Sequence, residues 1–364
     1  MSIPILFARG LIHIGLIGAL AAMLGAQVWG FLRLSKGFRF LPEASPSFAR
    51  WGVGSIASIF FGYVLVQTII RDSYLILRDW NLVKTTREAP HKPLPQPQEA
   101  VRKGSDVVTA KESLGAEKVR PDGPPKLLSF AEIIAIGSLT NLLAIVLVPL
   151  LLRTTVGTTI SDLGVSFEHA GADVATGALT FLLVTPWIYA VNFLAGTVFS
   201  RNVHPLEDML RTQATPGVVA LAVVSAVALA PVAEELLFRG VLLGWLNRIF
   251  GDKVRTNPQP YDLPDQTLGE ERPRPLHRGP TLPTAPRATP KGATSALVAS
   301  SLPFALLHLG QMPAPFAIFF LSLTLGHLAQ RTGRLLPSMT LHALFNGLST
   351  LALIDAILRP PTQP

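Results

Sequence analysis

Eight apolar runs of membrane-spanning length constrain this chain more than any other feature. They lie near residues 10–32, 51–71, 128–152, 174–199, 217–247, 293–310, 314–331 and 335–357. A hydrocarbon core about 30 Å thick takes roughly 20 apolar helical residues to cross. Water is absent there, so a lone apolar run must satisfy its own backbone, which an α-helix does within one segment. The expected fold class is therefore all-α, a polytopic membrane helical bundle of about eight transmembrane helices. The sixth and seventh runs are short, separated by Gly310-Gln311-Met312-Pro313, and read as a tight helical hairpin. Composition agrees, because 15% charged residues falls well below the roughly 25% of soluble domains.

The polar stretches set the domain organisation. Residues 1–71 hold an N-terminal transmembrane helix pair. Residues 72–126 form a polar linker with Pro90, Pro93, Pro95 and Pro97 in close succession. Residues 127–214 hold the third and fourth helices and a loop, and 215–357 hold the remainder, interrupted by a Pro-rich loop at 251–292. Proline and charge at that density cannot build a packed core. The start, from Arg9 through Ala26, resembles a signal peptide. Its apolar run continues through Leu32 to Arg33 and Lys36, which fits a retained spanning helix better. Arg33, Lys36, Arg39, Arg50, Arg331 and Arg334 favour inside loops and put both termini outside, with Arg201 and Arg211 voting against. The expected location is a multi-pass place in the cell (inner or plasma) membrane. The net charge of +8 sits mostly between apolar runs, where it anchors loops to anionic headgroups. No basic-aromatic face accompanies it, so nucleic acid is not an expected partner. With no cysteine in the chain, disulfides, thiolate metal sites and a cysteine nucleophile are excluded.

Against this apolar background the charged residues inside the runs stand out. Glu234 and Glu235 lie in the fifth, followed by Arg239. Each such charge at a helix centre costs about 2.5–3.5 kcal/mol, against about 0.3–0.6 kcal/mol gained per Leu or Val. Intramembrane ionisable groups therefore face the bundle interior and mark functional sites by default. Glu235 and Arg239 are one helical turn apart and can pair. Glu234 points about 100° away, over Phe238, and is left to act as a base. Pro231 removes a backbone donor and is expected to kink the helix just before the pair. Phe304-Ala305-Leu306-Leu307-His308 supplies an imidazole on the sixth run, and His342-Ala343-Leu344-Phe345-Asn346 sets an imidazole and an amide on one face of the last. Histidine serves as a proton carrier or metal ligand, and asparagine as a donor to an oxyanion. Each motif also has a plain structural reading: an ion pair locking helices, a core histidine, an interhelical hydrogen bond. His13 and His327 show no partner at useful spacing. His204 with Glu207 and Asp208 reads as a solvated loop group, and Glu132 and Asn141 as helix–helix hydrogen bonders.

Taken together, Glu234-Glu235-x-x-x-Arg239, Phe304-x-x-x-His308 and His342-x-x-x-Asn346 resemble the motif set of CPBP intramembrane metalloproteases (the CAAX-processing and bacteriocin-processing family, also called Abi). Leu237-Phe238-Arg239-Gly240 and Arg331-Thr332-Gly333-Arg334-Leu335 add to the likeness, which covers roughly 215–355. The insert at 251–292 departs from the family's compact spacing. No His-Glu-x-x-His, Gly-x-Ser-Gly or Gly-x-Gly-Asp signature of other intramembrane proteases is present. The resemblance implies a membrane peptidase acting on a membrane-associated or lipidated peptide or protein. It implies Glu234 as general base, Glu235 oriented by Arg239, and Asn346 at the oxyanion. His308 and His342 would either position the water or, with a carboxylate, bind Zn2+. A non-catalytic immunity or transport component using the same cluster for packing or proton coupling stays open as the alternative.

Overall fold

The computed structural model describes residues 3–36, 41, 49–88, 128–199, 215–250 and 290–358. Among them run eight helices and no strand. They are α1 (Ile3–Ser35), α2 (Val53–Glu88), α3 (Phe130–Val156), α4 (Ala170–Val198), α5 (Pro216–Phe250), α6 (Pro290–Leu306), α7 (Ala314–Thr332) and α8 (Leu336–Leu358). Six are long and apolar enough to cross a membrane, so the chain is an integral, multi-pass helical bundle. The two that fall short form the expected hairpin. The apolar part of α6 is only Gly292–Leu306, and α7 ends in His327, Gln330 and Arg331, which dilute its hydropathy. The eight expected spans are thus six long helices and one hairpin of lesser reach.

One boundary differs by several turns. Helix α2 continues to Glu88, past the expected start of the polar linker at residue 72. Ile76, Leu77 and Trp80 carry its apolar surface onward, and neither Pro nor Gly interrupts it before Pro90. The rest of that linker, the loop holding Arg201, His204, Glu207, Asp208 and Arg211, and the insert up to residue 289 lie outside the described residues.

Local chemistry sets the helix ends. Ser129 and Glu132 close a capping box at the start of α3, satisfying amide donors that the first turn leaves open. Gly157 and Gly333 end α3 and α7 at φ 67° and 66°, a left-handed conformation that glycine adopts without steric cost.

Helix α8 is central, packing on α4, α1 and the first half of α5, while α3 packs on the Ala230–Glu235 stretch and α2 packs on α3. One core gathers Trp51, Leu152, Leu163, Val241 and Phe304, and a second gathers Phe181, Ile188, Leu321, Leu325 and Leu341. The outer faces of α1 and α2 expose Leu11, Ile14, Ile17, Phe61 and Val64, as lipid contact requires. Polar side chains tie the helices together. Tyr63 donates to Asn141 at 2.8 Å and Tyr74 donates to Glu132, joining α2 to α3 as expected of those two residues. His13 does have a partner, contrary to expectation: its Nε2 lies 2.8 Å from Oδ1 of Asp355, with Arg9 at 3.6 Å. Asp355 sits near the far end of the sequence, so spacing could not disclose the pair.

Candidate active site

The backbone of α5 explains how its acidic pair is presented. Residues Ser225–Leu229 and Leu236–Leu243 form wide π-turns flanking a short α-helical stretch, Ala230–Glu235. In the first wide turn the Ala230 N–H donates to the Ser225 carbonyl, five residues back. The next bond in that register would run from residue 231 to Ala226. Residue 231 is proline and has no N–H to give, so the Ala226 carbonyl needs another donor. Asn346 of α8 supplies it, with Nδ2 at 2.9 Å. The expected irregularity at Pro231 is therefore a π-turn, and an amide from another helix completes its bonding.

From that stretch the two glutamates diverge, as helical geometry predicted. Glu235 is fully buried (0% exposed), while the Glu234 side chain is 30% exposed. Arg239 Nη1 donates to Glu235 Oε1 at 2.8 Å, and Nη2 donates to the Ser322 hydroxyl of α7 at 2.8 Å. The guanidinium carbon lies 4.4 Å from the centre of the Phe304 ring, a cation–π contact that stabilises a desolvated arginine. His342 Nδ1 lies 3.0 Å from the same Glu235 oxygen. A carboxylate only accepts, so Nδ1 carries the proton and Nε2 is left as the open ring nitrogen. Nε2 is 3.7 Å from Glu234 Oε2. Arg239, Glu235, His342 and Glu234 thus form one chain of polar contacts from the protein interior to an accessible carboxylate. Phe238 faces elsewhere, edge-on to Phe60 and to Phe304.

His308 and Asn346 meet the site less directly. His308 was expected on the sixth apolar helix, but α6 ends at Leu306 and His308 begins a 3-10 turn, Leu309–Gln311. The chain tightens there, with the His308 N–H reaching back only three residues to Ala305. Its Nδ1 bonds the Phe304 carbonyl at 2.9 Å, so its Nε2 is the lone-pair nitrogen in the neutral ring. The rings of His308 and His342 both lie against Phe304, at 5.4 and 6.0 Å between centres. Asn346 has committed one amide N–H to Ala226, which leaves one for a ligand.

A catalytic zinc takes three protein ligands and an open position. Among the described residues, no three His, Asp or Glu side chains come together as such a group. Glu235 is engaged by Arg239 and His342, which removes it as a third ligand, while the two imidazoles bond through Nδ1 and keep Nε2 open. As they stand, these donors do not fit that ion.

Sequence spacing did not disclose two further participants. Tyr63 of α2, one turn past the Phe60 ring that meets Phe238, donates across to Asn141 of α3. Asp173 of α4 accepts both Nε and Nη2 of Arg334 at 2.7–2.9 Å, fixing the turn that enters α8. The available signal was the presence of polar residues at or within otherwise apolar runs.

Residues 274–348 match a family described as type II CAAX prenyl endopeptidase Rce1-like. The matched stretch contains His308, His342 and Asn346, and the acidic pair lies upstream of it. No curated protein and no solved structure matches the chain.

Proposed function

We propose that this chain, whose residues 274–348 match the type II CAAX prenyl endopeptidase Rce1-like family, is a peptidase of the CPBP (CAAX protease) type that hydrolyses a peptide bond of a lipidated, membrane-associated substrate with a water activated by Glu234. The observation that carries this reading is the contrast between the two adjacent carboxylates. Glu235 is sealed by Arg239 and His342, and Glu234 remains within reach of a ligand.

In this reading a water lies against Glu234. As its oxygen attacks the scissile carbonyl carbon, the water gives one proton to the carboxylate. The second O–H of the water is held by an imidazole Nε2, from His342 or His308, both of which carry their proton on Nδ1. The remaining N–H of Asn346 is the donor available to the oxygen that gains charge. Collapse of the tetrahedral adduct breaks the C–N bond, and Glu234 returns its proton to the departing amine nitrogen. Glu235 and Arg239 touch no reacting atom; they hold His342 in one tautomer and one orientation, as a buried carboxylate does for the histidine of a hydrolytic triad.

The direct test is Glu234→Gln in detergent-purified protein, assayed on an internally quenched peptide carrying a prenylated cysteine near its C-terminus. The substitution keeps the shape and removes the base. Cleavage is expected to fall by about 10²–10⁴-fold, with thermal stability unchanged. Undiminished cleavage by the variant overturns the hydrolytic assignment.

A further inference from the structure

An apolar groove of about 450 Å³ runs between α2 and α3, lined by Ile59, Gly62, Tyr63, Leu143, Leu147 and Leu151 among others. Its volume falls in the range of about 300–1,000 Å³ that ligand clefts occupy. The groove belongs to the N-terminal half of the chain, outside the matched family region. Its position relative to the acidic pair follows from two contacts. Trp51 Nε1 donates to the Val241 carbonyl at 2.9 Å, and Phe60 packs edge-on against Phe238 at 5.5 Å. Moving forward from Trp51, just before α2, to Phe60 within it therefore moves backward along α5. Tyr63, one turn beyond Phe60, comes level with Glu234, one turn before Phe238.

The groove is greasy along its length but not at this point. Thr140 and Thr154 spend their hydroxyls on carbonyls of their own helix. Tyr63 instead donates across to Asn141 Oδ1 at 2.8 Å. That bond turns the phenol proton away from Glu234. It leaves phenol lone pairs and the Asn141 amide N–H groups as an acceptor and donor set.

A peptide bond presented for hydrolysis in the lipid phase has left any helix, so its N–H and C=O need partners. We propose that the α2–α3 groove receives the apolar part of the substrate as an extended peptide, and that Tyr63 and Asn141 pair with its backbone beside Glu234. This rests on the peptidase reading and adds where the substrate lies. A hydrocarbon chain alone would have no use for the Tyr63–Asn141 pair.

The experiment uses the full-length Glu234→Gln protein and a farnesylated peptide bearing a diazirine residue next to the scissile bond. Cross-links are expected within residues 58–66 and 140–151. Cross-links confined to the cavity lined by Thr180, Leu297 and His327 overturn the proposal. In the active protein, a Cβ at Gly62 would meet nothing within 4 Å, so Gly62→Phe enters the groove from an unhindered Cβ and occupies its volume. It should lower kcat/KM at least tenfold. Gly54→Phe, equally open and outside the groove, should leave it unchanged. Tyr63→Phe should lose about tenfold, the effect of one hydrogen bond, mainly through KM. A depsipeptide lacking the adjoining N–H should show no such loss. Full activity of both Gly62→Phe and Tyr63→Phe overturns the assignment. Failure of the peptidase reading is seen separately, as wild-type and Glu234→Gln proteins that cleave alike.

Discussion

Arg334 and Arg239 meet buried carboxylates in this bundle in opposite ways. Arg334 closes on Asp173 with three contacts of 2.7–2.9 Å that occupy both carboxylate oxygens. Hydrogen bonding to Asp173 pushes the Arg334 guanidinium above its ordinary value, so this arginine keeps its charge at any working pH. Arg239 gives Glu235 one nitrogen and Ser322 the other, and the oxygen it contacts is shared with His342. The first arrangement ends where it begins. The second continues through an imidazole to a carboxylate that a substrate can reach. Burial of charge is common to both and does not by itself mark chemistry. An accessible end does.

Substitutions separate the two arrangements, and the largest effect belongs to Arg239→Met. Removing the guanidinium takes the cation from Glu235 at zero exposure while His342 stays bonded to it, and breaking such a buried pair costs about 3–5 kcal/mol. Thermal denaturation should show that loss together with the disappearance of cleavage, in contrast to Glu234→Gln, which loses only cleavage. Asp173→Asn comes next. Arg334 keeps its amide-oxygen contact and partial hydration at 26% side-chain exposure, so the cost should be about 1.5–3 kcal/mol, the value of hydrogen bonds to charged groups. Cleavage per folded molecule should hold in that variant, and a fall in kcat matching that of Glu234→Gln would erase the distinction. His13→Phe is the smallest change. Its buried partner Asp355 retains Arg9 at 3.6 Å and His13 is 44% exposed, so calorimetry should register roughly 0.5–1.5 kcal/mol, the value of one hydrogen bond.

Much of this was legible in the chain because hydropathy reports directly on burial in lipid. Runs near 128–152 and 335–357 anticipated α3 and α8 within a turn or so, and the Glu235–Arg239 spacing anticipated its ion pair. Three features were not legible, for different reasons. The π-turns of α5 leave no mark on composition, since a wide turn of Ser, Ala, Val and Leu reads like any apolar helix. The departure of His308 from its helix depends on a local tightening after Pro303 that apolar residues mask. The His13–Asp355 and Tyr63–Asn141 contacts join different helices, and nothing within one helix announces its partner on another. The resemblance to a protease family singled out the residues beside Phe304 but not the groove on the other side of Glu234, whose walls carry no motif.

In an ordinary helix, one residue more or less rotates everything beyond it by about 100°. The wide turn at Ser225–Leu229 absorbs one such step, and the Asn346 amide is bonded to the carbonyl that Pro231 leaves bare. Deleting a single residue there would tighten the spiral and throw Val218–Val224 out of phase with the acidic pair. Lengthening a surface connection costs only about 0.6 kcal/mol per doubling. Drift in chain length is thus cheap at the connections between helices and forbidden within this one turn, where an angular setting is shared between two distant helices.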